Sequence, residues 1–215
     1  AEAARLAGDW DGVRQALAQL AQSPPAGDQA LQQRLLQAEV MLQEQRPEEA
    51  FAALGAAPVP GTPDALRIRY YRDLAATYRQ LGNLLETAAA LQEVDALQTE
   101  RADRLATQSE ILRSLALLNE QVLRDLQPSP PGVLGGWMEL ALLVKQYGAE
   151  PDRLQELFAQ WRERFPQHPA LPELLSDYRQ QLQGQLQHYD QIAVLLPQSG
   201  TLANVASAIR DGILI

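Results

Sequence analysis

The chain has 215 residues, 18 Lys+Arg against 27 Asp+Glu, a net charge of −9 and no cysteine. That length holds one large or two small domains, and a hydrophobic fraction of 46% is enough to build a core. Zero cysteine excludes disulfides, thiolate metal sites and cysteine nucleophiles. The acidic balance argues against unaided nucleic-acid binding and against electrostatic docking on an anionic membrane.

The composition is that of a helical protein. Its 26 glutamines join Ala, Leu, Arg and Glu as strong helix formers, and aromatics make up only 6%. No apolar run reaches the roughly 18 residues that span a bilayer, and no signal segment opens the chain. Ala1-Glu2-Ala3-Ala4-Arg5-Leu6 already reads as helix, so the chain is expected to be an excised or processed piece.

In chain order, Ala1–Leu6 and Asp9–Leu20 form a first helix pair broken at Gly8. Ser23-Pro24-Pro25-Ala26-Gly27 breaks the pattern, and Asp28 reads as the N-cap of Gln29–Gln45. Pro47 fits the first position of the next helix, to Leu54. A second breaker, Ala57 to Pro63, precedes a long helix from Asp64 to Leu81; after Gly82-Asn83 its partner runs from Leu84 to Leu97. Thr99–Leu126 reads as one or two helices, with apolar residues at three- and four-residue spacing. After Gln127–Gly132, helices are expected at Trp137–Tyr147, Pro151–Phe165 and Pro172 to about Gln187.

The turns Gly8-Asp9, Gln45-Arg46 and Gly82-Asn83 recur at about 37-residue intervals, close to the 34 of a tetratricopeptide (TPR) unit. The best unit is Leu74 to Ala88, which keeps a small residue, Tyr78, Leu81-Gly82 and a small residue in the second helix. The expectation is an all-α fold, a TPR-like helical-hairpin solenoid over residues 1–188. An irregular helical bundle is the alternative. The tail differs. Ile192-Ala193-Val194-Leu195-Leu196 is a continuous apolar run, followed by Ser199-Gly200 and a helical pattern from Leu202 to Ile213. Strand, turn and helix open an α/β unit, so residues 189–215 read as the truncated start of a second domain. A lone strand cannot bury both faces, so it is expected to lie extended against helices or another copy.

No catalytic constellation emerges. The two histidines, His168 and His188, lie far apart and in no metal-binding pattern. Gly132-Val133-Leu134-Gly135-Gly136-Trp137 lacks a phosphate-loop lysine and reads as a flexible helix entry. His168, between Pro166 and Pro169, reads as a packing or capping residue in a rigid turn. Trp161 and Phe165 share one helix face and read as core. The chain is expected to be no enzyme and to need no cofactor or metal.

One cluster carries a binding hypothesis. Arg67, Arg69, Tyr70, Tyr71 and Arg72, with Arg79 further along, form a basic and aromatic patch on the first helix of the best repeat. First helices line the concave face of such solenoids, and Arg and Tyr are over-represented at binding hot spots. The alternative is that the tyrosines pack between helices and the arginines pair with nearby acids.

Two segments together resemble a known family. Ile192 to Gly200, followed by Ala208-Ile209-Arg210-Asp211-Gly212, resembles the opening of a type I periplasmic-binding-protein-like domain. Shortly before it stands Trp161-Arg162-Glu163-Arg164-Phe165-Pro166-Gln167-His168-Pro169-Ala170. In that order, after TPR-like helices, they resemble the LppC family of penicillin-binding-protein activator lipoproteins. The resemblance is specific over residues 137–215. It implies a regulator of peptidoglycan synthesis, lipid-anchored on the periplasmic side of the outer membrane. It implies a class A penicillin-binding protein as partner, met mainly through a C-terminal domain that this chain lacks. Other periplasmic proteins or peptidoglycan are further candidate partners, and nucleic acid is not. Membrane attachment would come only through a lipid anchor outside this chain. The implied role of residues 1–188 is scaffold and spacer. A generic TPR-type peptide-binding adaptor is the competing reading.

Overall fold

The computed structural model describes residues 1–22 and 25–186, together with Ser199, Val205 and Ile209. Among them the regular elements are all α-helices. They are α1 (Glu2–Leu6), α2 (Trp10–Leu20), α3 (Gly27–Gln43), α4 (Pro47–Leu54), α5 (Asp64–Gln80), α6 (Leu84–Leu97), α7 (Arg101–Ala116), α8 (Glu120–Asp125), α9 (Gly132–Tyr147), α10 (Pro151–Arg164) and α11 (Leu174–Leu186). The chain divides into two units, Ala1–Asp177 and Tyr178–Ile215. The expected strand at Ile192–Leu196 lies outside the described residues, as does the 188/189 boundary.

The three turns of the repeat are one structure built three times. At Gly8, Gln45 and Gly82 the backbone turns left-handed, with φ of 72°, 57° and 78°. Each turn closes with the same pair of bonds. Asp9, Arg46 and Asn83 donate their N–H to Ala4, Met41 and Tyr78 carbonyls at 2.9 Å each. Gly8, Gln45 and Gly82 donate to Arg5, Leu42 and Arg79 carbonyls at 3.0, 3.1 and 3.1 Å. This is the Schellman end of a helix, which satisfies its last carbonyls and throws the chain back for the next one. The hairpins α1–α2, α3–α4 and α5–α6 follow from it.

Packing follows the chain order. α3 packs on α4, both pack on α5, α5 on α6, α6 on α7, α7 on α9 and α9 on α10. Stacked hairpins pack in this neighbour-by-neighbour way. α3 is buried on two faces. Its Leu31, Leu35, Ala38 and Leu42 meet Ala50, Leu54 and Tyr70 of the following helices. Its Leu36 and Val40 meet Val13 of α2. α6 buries Ala88, Ala90, Leu91 and Val94, small enough to let α5 and α7 close on it.

Two helix starts differ from the sequence reading, and one open choice is resolved. The helix after the first proline break begins at Gly27, so Asp28 sits in its first turn, where a carboxylate favours the dipole. The stretch 99–126 is two helices, because Asn119 caps α8 by accepting from the Val122 N–H at 2.8 Å. α9 starts at Gly132 and not at Trp137. Its glycines are there for packing: a Cβ on Gly136 would stand 2.6 Å from the His168 ring, and one on Gly135 would stand 2.6 Å from Pro131.

Candidate functional site

The basic and aromatic residues picked out on α5 do not share one fate. Tyr70 belongs to the core, its ring only 4% exposed and its hydroxyl donating to the Gly55 carbonyl at 3.0 Å. Tyr71 meets it edge-on, with ring centroids 5.3 Å apart, and packs on the same cluster. Arg67 is held by Asp64 of its own helix at 2.9 Å.

The remaining three arginines face the other first helices of the hairpins. Arg69 lies toward α3. Its Nε and Nη2 donate to Glu39 at 2.8 and 2.9 Å, a bidentate pair with side chains 17% and 12% exposed. Its Nη1 reaches Glu2 of α1 at 3.0 Å. Arg79 lies toward α7 and pairs with Glu110 at 3.1 Å. Arg72 also turns to α7, but donates there only to the Thr107 hydroxyl, at 3.4 Å, and meets no carboxylate among the described residues. Four helices are thus bridged: α1 and α3 to α5 by the ion pairs of Arg69, and α5 to α7 by the ion pair of Arg79 and the hydrogen bond of Arg72.

Sequence reasoning missed the acidic half of this face. Glu39 stands inside the apolar run Leu35 to Leu42, and an acid in such a run is the signal that could have drawn attention to it. Asp73, one turn beyond Arg69, is also part of it. Burial and then the neighbouring Glu39 charge push its carboxyl up to about 8, against the pull of Arg69 and Arg5.

A second cluster joins α9, α10 and the turn after α10. The His168 ring stands edge-on to Trp137 and Trp161, with centroids 4.6 and 4.7 Å away. Its Nδ1 accepts from the Ala170 N–H at 3.2 Å, and its Nε2 lies 3.0 Å from the Val133 carbonyl. Those partners assign the proton to Nε2. Burial drives the imidazole down to about 4. With both nitrogens engaged, His168 cannot serve as a general base, although a cleft of about 380 Å3 opens beside it.

The turn itself is read by α7. Gln108, fully buried, donates to the Pro169 carbonyl at 2.9 Å and accepts from the Leu171 N–H at 2.8 Å. Its amide also donates to Asp95 at 3.0 Å, and Asp95 is held by Arg104 at 3.0 Å. Among the described residues no cluster of His, Cys, Asp and Glu is arranged to hold a metal, and no helix is long and apolar enough to cross a membrane. What this unit offers is a row of helices with a charged face.

Comparison with known proteins finds relatives of the same helical fold. The chain is 28% identical over 188 residues to the penicillin-binding protein activator LpoA of Edwardsiella ictaluri, covering 86% of this chain and 27% of that protein. It is 26% identical over 211 residues to LpoA of Photobacterium profundum, covering 96% and 34%. The chain therefore spans about a third of the length of these curated relatives. Among solved structures, the LpoA N-terminal domain of Haemophilus influenzae superposes with a TM-score of 0.63 at 23% identity, over 88% of this chain and 84% of that one. Full-length LpoA of the same organism superposes with a TM-score of 0.66 at 24% identity, over 98% of this chain and 39% of that one. These structures establish the all-helical fold. The family described as "LppC putative lipoprotein" matches residues 2–215, almost end to end. The chain belongs to the LppC lipoprotein family.

Proposed function

We propose that this chain is the N-terminal helical part of a cell-envelope lipoprotein that activates a class A penicillin-binding protein, on the periplasmic side of the outer membrane. The observation that carries the reading is the match of nearly the whole chain to proteins named penicillin-binding protein activators. The part is non-catalytic. Its stacked hairpins, tied across α1, α3, α5 and α7 by ion pairs, make a stiff spacer. Residues 1–188 are that spacer, and residues 189–215 begin a type I periplasmic-binding-protein-like domain that contacts the synthase. The α5 patch of Arg67, Arg69, Tyr70, Tyr71, Arg72 and Arg79 is a secondary partner face. Arg72 and Arg79 are its exposed members, and Arg72 meets no carboxylate among the described residues.

The test uses the full-length lipoprotein and its cognate synthase. Deleting residues 1–188 is expected to leave stimulation of glycan synthesis in solution largely intact while abolishing support of growth. Loss of stimulation in solution would place activation in the helical part and overturn the spacer reading. The double variant R72E/R79E is expected to keep its helical content and to lose about tenfold in affinity for a partner of the helical part. Unchanged affinity removes the α5 face from consideration.

A further inference from the structure

The turn after α10 makes a cleft that neither the spacer reading nor the α5 face uses. Val133 of α9 lines it on one side and Arg164 to His168 on the other, around about 380 Å3. Ligand sites run from about 300 to 1,000 Å3, so the space suits one small group. Its walls are fixed before anything binds. His168 Nε2 donates to the Val133 carbonyl at 3.0 Å, and Trp161 Nε1 donates to the Gly136 carbonyl at 3.2 Å. Phe165 stacks on Trp161 with ring centroids 5.4 Å apart, and Gln108 holds the backbone just beyond His168. A preformed cleft spares its ligand the free energy of ordering the site.

The chemistry of the cleft is one-sided. Val133, Phe165 and Pro166 make its lining apolar, and Val133 and Pro166 are exposed. Among its lining residues the charge is that of the Arg164 guanidinium, and no carboxylate lines it. His168 has both nitrogens engaged, so it offers a ring edge and no free donor. Arg164 is 60% exposed, its Nη2 pairs with Glu139 at 2.8 Å, and its Cζ lies 5.8 Å from the Phe165 ring centroid. Glu139 is shared, since it also accepts from Gln127 at 3.0 Å. Arg164 Nε and Nη1 have no partner among the described residues, so the guanidinium keeps N–H groups for an incoming acid. The exposed Gln167 amide adds a further donor.

We propose that this cleft binds the C-terminal residue of a peptide that ends in an apolar side chain, with the side chain against Val133, Phe165 and Pro166 and the terminal carboxylate on Arg164. Charge complementarity selects the carboxylate, because a cation with unused N–H groups stands at a cleft without acids. The lining selects the group that carries it. Guanidinium and ring lie only 5.8 Å apart. A chain end matches that spacing, because its carboxylate and its side chain leave the same carbon atom. An aspartate or glutamate inside a chain puts its charge at the tip of its own side chain, and its apolar neighbours point elsewhere. The cleft is open to solvent, so the rest of the peptide leaves it without needing a second pocket. The site stands apart from α5, and it rests neither on that face nor on the activator reading.

The experiment titrates the 215-residue chain at pH 7 with N-acetyl-Gly-Gly-Leu bearing a free carboxylate, and follows backbone amide shifts. The amides of Val133, Phe165 and Gln167 are expected to shift together and to saturate, with a dissociation constant of about 1 mM. The same peptide with a C-terminal amide keeps the leucine and loses the charge. Acetate keeps the charge and loses the leucine. Each is expected to bind at least about tenfold more weakly. Arg164→Gln, on the exposed surface, is expected to weaken the free acid about tenfold and to leave the amide peptide unchanged. Equal binding of acid and amide would overturn the proposal. So would equal binding of acetate, which would reduce the cleft to a site for any anion. Absence of saturation by about 10 mM peptide, or saturable shifts confined to other residues, would overturn it too. The comparison of acid with amide uses the unaltered chain, so a poorly folding R164Q would not spare the idea.

Discussion

Gln45 takes up a conformation that its two counterparts in the repeat leave to glycine. Its φ of 57° matches Gly8 and Gly82 in role, but a side chain pays about 1–2 kcal/mol to sit there. Gln45→Gly is therefore expected to stabilise the chain by about 1 kcal/mol, read as a higher urea midpoint at an unchanged m-value. A loss of stability would show that the Gln45 side chain makes a contact worth more than the strain. His168 makes the opposite kind of statement, about protons. In the folded chain it takes up a proton only near pH 4, whereas the unfolded chain does so near the ordinary 6.5. Between those values the unfolded state binds more protons, so stability is full above about pH 6.5 and falls as the pH drops toward 4. Discounted for the partial exposure of the ring, the loss is about 1–3 kcal/mol. Urea titrations of wild type and His168→Gln at pH 7 and pH 5 check it: the wild type should lose more between the two than the variant does.

At the scale of elements, the punctuation of the chain was readable because proline and left-handed turns leave local marks. Pro47 and Pro151 open helices at their first position, and Gly8 and Gly82 close them, as their residue types require. What was not readable is long-range. Gly135 and Gly136 look like a loop until His168 and Pro131 are brought against them, and nothing within 30 residues of Gly136 announces His168. The α5 patch shows the same limit. Its residue types were visible, but which arginines are consumed depends on Glu39 and Glu2, 30 and 67 residues away. Gln108 is the strongest case of a hidden role. A glutamine in the polar stretch Thr107–Glu110 looks like surface, yet it holds the backbone of the turn 169–171 from both sides. Gln108→Leu strands the Pro169 carbonyl, the Leu171 N–H and one side of Asp95 in a dry interior. Each unmet group costs about 1–3 kcal/mol, so a total loss of about 3 kcal/mol or more is expected. Thermal unfolding would show it, and a shift of only a few degrees would mean that the turn does not need this amide.

For the first unit as a whole, neighbour-by-neighbour packing dictates how it opens. In a stack of hairpins each contributes its own stability plus the interface to the next, and an end hairpin has one interface where an inner one has two. The α1–α2 end is thin even by that measure. α1 buries nothing and α2 buries Val13, while α6 buries six residues and α7 seven. Ala1, Ala4, Trp10 and Leu17 add only partly buried contacts to the Val13 cluster, and the polar ties are Arg14 to Glu44, Arg5 to Glu39 and Glu2 to Arg69. Surface ion pairs contribute at most about 1 kcal/mol each, against roughly 1.5–3 kcal/mol for each large apolar side chain fully buried. The first hairpin is therefore expected to open alone, before the rest. Native-state amide exchange measures this residue by residue. Amides of Val13 to Leu17 should exchange at least about a hundredfold faster than those of Leu91–Val94 and Ile111–Leu115, a gap of about 2.7 kcal/mol. Added urea should leave the α2 rates nearly flat, because little surface is exposed when that end frays, while the α6 and α7 rates climb steeply with global unfolding. Equal protection in α2 and α6, with equal urea slopes, would mean a single cooperative body. The stacked-hairpin account of this fold would then be wrong in its energetics, however well it describes the path of the chain.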